Sequence, residues 1–271
     1  MMFQFGTGIA AAYPAVAQID GQAINLGSQA DALRALTAAA RGRAGFSFFT
    51  LNLDHLVKRR ADAAFRAAYT RATFVSADGA PVVRLCRREA PQMQRATGAD
   101  IIGPLCAAAA AQGLRLYLFG STQSSLDQAA AALRARYSGL VIAGAEAPAF
   151  GFDPLSAAAD AAADRIAASG AHIALIALGA PKQEIFADHA LARCPRVGFA
   201  CIGAALDFIS GEQGRAPRLF RATGMEWLWR LAGNPRRLAA RYWQCALLLS
   251  DLAVVMPLRQ RLHGVKPELS L

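Results

Sequence analysis

Five short polar clusters in the 271-residue chain lie where an apolar run gives out, and each offers a distinct chemistry. Asp78-Gly79 follows the apolar FVSA and sets a carboxylate beside a flexible residue, as a general base requires once a substrate hydroxyl is within hydrogen-bond reach. A helix N-cap or an Asx turn uses the same residues. Thr50 and Asn52 share a strand face, because residues i and i+2 point the same way, and they fit a substrate pocket or a turn cap equally. Gly120-Ser121-Thr122 follows LYLF and precedes a helical stretch; backbone N–H groups at such a junction favour phosphate, although the pattern is neither a P-loop nor G-x-G-x-x-G. In GAPKQE (179–184), Gly179 frees the turn and Pro181 suits a first helical turn, where its missing N–H costs nothing. Lys182 is then a phosphate counter-charge and Gln183 a hydrogen-bonding group for a sugar or base, or Lys182 and Glu184 are simply solvated. Asp207, in ALDFISG, suits a ribose or base contact, or an ion pair with an arginine.

Past Gly211 the character changes. Arg230, Arg237 and Arg241 recur at spacings of seven and four, so one helical face carries all three if the Asn234-Pro235 break permits. The apolar run Trp243 to Leu258 falls short of the ~20 residues of a spanning helix. With Arg236, Arg237 and Arg241 before it and Arg259 and Arg261 after it, the run suits an interfacial helix on an anionic bilayer, or a helix packed on its own core.

Positioning these groups requires a scaffold, and its pattern is visible. Apolar runs at 45–52, 73–79, 114–122, 172–180 and 196–204 each end in small or polar residues, as buried parallel strands do. Ala-rich stretches at 28–40, 54–72, 123–137 and 155–169 have helical composition, with Ser28 as an N-cap and Gly139 and Gly170 as stops. The alternation predicts an α/β fold, Rossmann-like and doubly wound, with a mostly parallel sheet and ligands at the carboxyl edge of the strands. The predicted division is a catalytic α/β domain at 1–210 and a small helical appendage at 211–271.

Composition bounds the function. A net charge of +10 favours anionic partners: nucleic acid, phosphate esters or an acidic bilayer. Five cysteines without C-x-x-C spacing argue against a disulfide framework or a zinc site, and the four scattered histidines accompany no H-E-x-x-H or D-x-D. Neither a metal nor a cofactor is expected. The apolar N-terminus has no Lys or Arg before Arg34 and makes a poor signal peptide.

Taken in order, TLN, ADG, LYLFG, ALGAPKQE, ALDFISGEQGRAP and MEWLWRL…NPRR…RY resemble the WecG/TagA/CpsF glycosyltransferases, glycosyltransferase family 26, over roughly residues 20–242. The resemblance implies inverting, metal-independent transfer of a sugar from a UDP-linked donor to an undecaprenyl-diphosphate-linked sugar at the cytoplasmic membrane face. The products are wall, capsule or exopolysaccharide polymers. By position it makes Asp78 the catalytic base. Thr50, Asn52 and Gln183 become pocket residues, Asp207 a nucleotide neighbour, and Arg230 and Arg237 diphosphate ligands. Arg241 takes the third arginine's place less directly, because Ala240-Arg241 stands where many relatives have two basic residues. Ser121 and Ala77 also depart from the family's usual glycine and proline, which bears on donor-phosphate contacts at Gly120 more than on the base. No nucleic acid is implied, and a homo-oligomer stays open. Two rivals remain. An NAD-type oxidoreductase shares the fold class but lacks G-x-G-x-x-G after the first strand. A non-catalytic basic module for membranes or nucleic acid accounts for the charge but not for Asp78 and Gln183 at neighbouring strand ends.

Overall fold

The apolar strand runs pair into one sheet because each is short, bounded by turn formers and buried on both faces. A computed structural model describes residues 12–256 apart from 218, 221, 222 and 224; the side chains of Arg230 and Arg237 also lie outside the described residues. So do the opening of the apolar N-terminus, through residue 11, and Pro257, Arg259 and Arg261 beyond the last helix.

A small antiparallel hairpin, β1 (Ala17–Ile19) and β2 (Gln22–Ile24), precedes helix α1 (Gln29–Arg41), which Ser28 caps. Then come β3 (Phe46–Leu51), α2 (Leu53–Ala61), α3 (Ala63–Arg71), β4 (Phe74–Ala77), α4 (Ala80–Cys86), α5 (Gly98–Gln112), β5 (Arg115–Gly120), α6 (Gln123–Arg136) and β6 (Val141–Glu146). The domain closes with α7 (Ala157–Ala168), β7 (Ile173–Ala177), α8 (Lys182–Arg193), β8 (Gly198–Cys201) and α9 (Ala205–Ser210). The six long strands form one parallel sheet in the order β4-β3-β8-β7-β5-β6. β3 to β4 steps outward one way and β5 to β6 the other, which leaves a crevice over the carboxyl ends of β3, β8, β7 and β5.

Strand alternation splits the core into two layers. Phe46 and Phe48 face one layer with Phe74, Leu118 and Leu175, whereas Phe49 and Leu51 face the other with Phe119, Phe186 and Phe199. The predicted doubly wound α/β fold is what the chain adopts. Its details differ in several ways, the β1–β2 hairpin and α4 among them. The stretch 54–72 is two helices, because Asp62 ends α2 and caps α3 through Phe65 N–H. Strand β6 and helix α5 were not anticipated: VIAGAE is a half-exposed edge strand carrying a glycine, and α5 holds Gly103 and Pro104 inside a helix that Thr97 starts. Gly98 opens α5 where a Cβ would meet Ile202 Cα at 2.7 Å, so the helix can approach β8 only without one.

Two further helices follow, α10 (Glu226–Gly233) and α11 (Pro235–Ser250), the latter continuing through a π turn at Asp251–Val255 to residue 256. The break at Asn234-Pro235 is real, so Arg230 lies on α10 and Arg237 and Arg241 on α11, and the condition set for one helix carrying all three is not met. Helix α11 packs along α2, burying Leu238, Cys245, Leu248 and Leu252. All five cysteines are free and buried.

Candidate functional site

Each strand of the crevice ends in a residue that bends the chain or presents a polar group. β4 runs out at Ala77, and Asp78 N–H bonds Leu51 O at 2.8 Å, which ties it to β3. The N-cap of α4 is Gly79, at φ +84° and with no side-chain cap, so Asp78 does not serve as that cap. The Thr50 hydroxyl donates to Asp78 Oδ2 at a long 3.5 Å. Asn52 does cap its helix: Oδ1 accepts His55 N–H at 3.0 Å. The cap reading at TLN thus holds for Asn52, which starts α2, while Thr50 faces the Asp78 carboxylate.

At the end of β5, Gly120 has φ +120° and a Cβ there would lie 2.4 Å from Ala177 O, so only glycine lets this strand end close on β7. Thr122 caps α6 by accepting Ser125 N–H at 3.2 Å. Between them Ser121 donates to Asp207 Oδ1, and Ser125 donates to the same oxygen at 2.9 Å. Gln213 Nε2 donates to Asp207 Oδ2 at 3.0 Å. Among the described residues Asp207 therefore takes neutral hydroxyl and amide donors and not the arginine partner weighed for it.

The GAPKQE turn divides its polar residues sharply. Gly179, at φ +72°, opens the turn, Pro181 stands at the N-cap position of α8, and Lys182 is exposed. Gln183 is only 4 % exposed and Glu184 0 %, so Glu184 is not the solvated residue one alternative made it. Gln183 turns inward: its Oε1 accepts Gly203 N–H at 3.1 Å and its Nε2 donates to Glu184 Oε1 at 2.7 Å. Its spacing with Phe186, Ala187 and Ala190 is the helical signal that places it on the buried face of α8.

A buried polar chain links these strand ends. Tyr69 Oη donates to Thr50 O at 3.2 Å and lies 2.7 Å from His55 Nδ1, which in turn is 4.0 Å from Glu184 Oε1. Burial pushes the His55 pKa down to about 3, against the pull of Asp54, so the ring is neutral at pH 7 and its approach to Glu184 is not an ion pair. A neutral ring protonated at Nδ1 donates to Tyr69 Oη and leaves the tyrosine proton for Thr50 O, which satisfies both bonds with one proton order. Burial likewise pushes Glu184 up to about 7, against the Gln183 hydrogen bond, and among the described residues its Oε2 has no hydrogen-bond partner. His55, Tyr69 and Glu184 were not read as site residues: a histidine inside LDHLVKRR and a tyrosine at the far end of the next helix carry no motif, and only the fold brings them together.

The appendage touches this edge. Arg241 Nη2 pairs with Asp54 Oδ2 at 2.7 Å, one turn from the Asn52 cap, and Lys58 shares that oxygen. Farther along α11, Asp251 pairs with Arg60 at 3.0 Å. Trp227, Trp229, Trp243, Leu247 and Val254 are exposed on the outer side of the two helices.

With this geometry in hand, the sequence model of the glycosyl transferase WecG/TagA/CpsF family matches residues 17–263. The chain belongs to that family. It is a glycosyltransferase, and its family works in cell-surface polymer synthesis. The matched span takes in every strand of the sheet together with α10 and α11, so the transferase includes the appendage arginines as well as the crevice. Among the described residues, no three His, Cys, Asp or Glu side chains gather as a metal-binding group. A cleft of about 410 Å³ beside the β2–α1 turn, lined by Tyr13, Asn25, Asp31, Arg34 and Gln94 among others, contains none of the predicted site residues.

Proposed function

We propose that this glycosyltransferase moves a sugar, with inversion and without a metal ion, from a UDP-sugar to a polyprenyl-diphosphate-linked sugar held at a membrane surface. The observation that carries the reading is Asp78 at the carboxyl end of β4, with the Thr50 hydroxyl at the end of neighbouring β3 on its Oδ2, beside the crevice over the strand ends. The acceptor hydroxyl attacks the anomeric carbon from the side opposite UDP. A carbon–oxygen bond forms, the bond to UDP breaks with its electron pair leaving on the diphosphate, and Asp78 takes the hydroxyl proton.

The donor lies across Gly120, Gly179 and Asp207. Asp207 engages the nucleoside with the acceptor capacity its three neutral donors leave over, and the backbone at Gly120 approaches the diphosphate. Gln183 acts from beneath, through Gly203. Arg230, Arg237 and Arg241 stabilise the departing diphosphate; of these, Arg241 stands beside α2 in its pair with Asp54. Residues 211–271 thus act as a membrane-associating appendage, cytoplasmic in orientation, whose Trp-rich outer face meets anionic lipid. Leu238–Val255 is long and apolar enough to cross a membrane by length and composition. Its inner face is nevertheless held to the domain by Arg241–Asp54 and Asp251–Arg60, which favours lying on the surface.

The test is a donor screen. Purified protein, vesicles containing phosphatidylglycerol and a short-chain polyprenyl-diphosphate sugar are incubated with UDP-hexoses, UDP-N-acetylhexosamines and a UDP-uronic acid, and products are read by mass and anomeric configuration. One inverted product is expected. Retention of configuration, or transfer from no UDP-sugar, defeats the reading.

A further inference from the structure

The carboxyl of Glu184, the third residue of α8, is completely buried, and among the described residues its only hydrogen-bonded side chain is Gln183. The Gly203 N–H can only donate, so Gln183 must turn Oε1 toward it and Nε2 away. What receives Nε2 is Glu184 Oε1. The amide is therefore read from both sides, and its orientation depends on an acceptor at position 184. Gly203, at φ +58°, turns β8 into α9, the helix that carries Asp207. The Gln183 carbonyl also receives the Cys201 thiol at 3.4 Å, which ties the first turn of α8 to the end of β8 a second time.

We propose that Glu184 is a positioning residue for the donor: by accepting the Gln183 amide it fixes which way that amide faces, and so holds the Gly203 turn and Asp207 where the nucleotide binds. The inference rests on Asp207 being a donor contact. Glu184 itself touches no substrate. A buried carboxyl with a vacant Oε2 beside neutral His55 is costly to keep, and an apolar residue of the same size would fill the position more stably; the hydrogen bond to Gln183 supplies a reason for a carboxyl there.

Two readouts test it, one independent of the donor. Glu184→Leu removes the acceptor, and amide exchange over residues 199–206, followed by mass spectrometry, should quicken about tenfold as the Gly203 N–H loses its fixed partner. Glu184→Gln keeps a carbonyl oxygen for Nε2 and should exchange like the wild type. In calorimetric titration with UDP, Glu184→Leu should weaken binding about tenfold and Glu184→Gln less than threefold. Gln183→Glu has the same shape but places an oxygen against Glu184, and should lose UDP affinity as Glu184→Leu does; it decides the matter if Glu184→Leu does not fold. Unchanged exchange in Glu184→Leu, or wild-type UDP affinity in either disruptive variant, overturns the proposal. Wild-type protein that binds no UDP at all removes the donor reading first, and this inference with it, whereas exchange alone then still reports on the Gln183 link.

Discussion

The strand-end crevice and the appendage handle polarity in opposite ways. Around the crevice, Thr50, His55, Gln183 and Glu184 are each at most 6 % exposed, and two buried hydrogen-bonded groups, Thr50–Tyr69–His55 and Glu184–Gln183–Gly203, face each other across 4.0 Å between His55 and Glu184. On α10 and α11 Trp227, Trp229, Trp243 and Leu247 face outward, Trp243 being 66 % exposed, and Arg241 meets the domain, as does Asp251 beyond it. The difference suits two tasks of one transfer. Bond making needs groups held to a fraction of an ångström, which buried, hydrogen-bonded side chains do well. Receiving the proposed lipid-linked diphosphate acceptor needs apolar surface and charge that can adapt to where the lipid lies.

Removing the base should break the crevice side most severely. Asp78→Asn preserves shape but cannot take the acceptor proton, so turnover should fall by ~10²–10⁴-fold while UDP affinity stays within threefold. Steady-state rates with calorimetric UDP titration check both halves. Near-normal turnover would transfer the base role to another residue.

How much of this was legible in the sequence follows the same contrast. Five of the six parallel strands were visible because each is a continuous apolar run ending in Gly, Asp or Asn, and that also located Asp78, Gly120 and Gly179 at strand ends, whereas Asp207, read in an apolar run, lies on α9. Capping chemistry was legible where side chain and helix are neighbours, as at Ser28. The buried chain was not. Tyr69, His55 and Glu184 come from three different helices, and no local period joins residues 69, 55 and 184. Gln183 was identified as a polar strand-end residue, but its direction depends on Gly203, twenty residues on, which only the closure of β8 against β7 brings within reach.

The appendage side is tested at its outer face. Trp227 and Trp243 are both exposed, and Trp227 stacks near Tyr242 at 5.7 Å, so the two helices share one aromatic surface. Trp227→Ala with Trp243→Ala should lower partition onto phosphatidylglycerol vesicles by about tenfold, equivalent to ~1.4 kcal/mol. Turnover on a water-soluble acceptor should be unchanged. Sedimentation with vesicles measures the first, and an equal loss on both acceptors would mean that these residues support the fold and not the surface.

A smaller effect sharpens the view of the crevice as a neutral, buried network. The Glu184 pKa, raised to about 7 from an ordinary 4.5, means that stability is lost as pH rises from about 4.5 through 7, because the unfolded chain releases a proton the folded chain retains. The His55 pKa, lowered to about 3 from 6.5, acts the other way, and stability is lost as pH falls from about 6.5 toward 3. Between about 4.5 and 6.5 the two slopes oppose. Lys58 and Asp54 on α2, Tyr69 on α3 and Cys201 on β8 surround the pair. In thermal melts, Tm of Glu184→Gln minus that of wild type should therefore grow as pH rises through this window. The same difference for His55→Gln should grow as pH falls. Parallel curves would show that neither group is held away from its ordinary range.

The smallest effect lies where the two regions meet. Arg241 is 42 % exposed in its pair with Asp54, so Arg241→Gln should change stability by no more than ~1 kcal/mol, and less at high salt. Its consequence for turnover distinguishes two roles for the contact. If Arg241 only fastens α11 to α2, Asp54→Asn should reproduce the Arg241→Gln rate, since either change breaks the same pair. If Arg241 also neutralises the departing diphosphate, Arg241→Gln should slow transfer by about tenfold or more, whereas Asp54→Asn, which releases the guanidinium from a competing carboxylate, should leave the rate equal or higher. Comparing the two single variants with the double variant on one acceptor separates fastening from catalysis, because the Asp54 change can only help once the arginine is there to use.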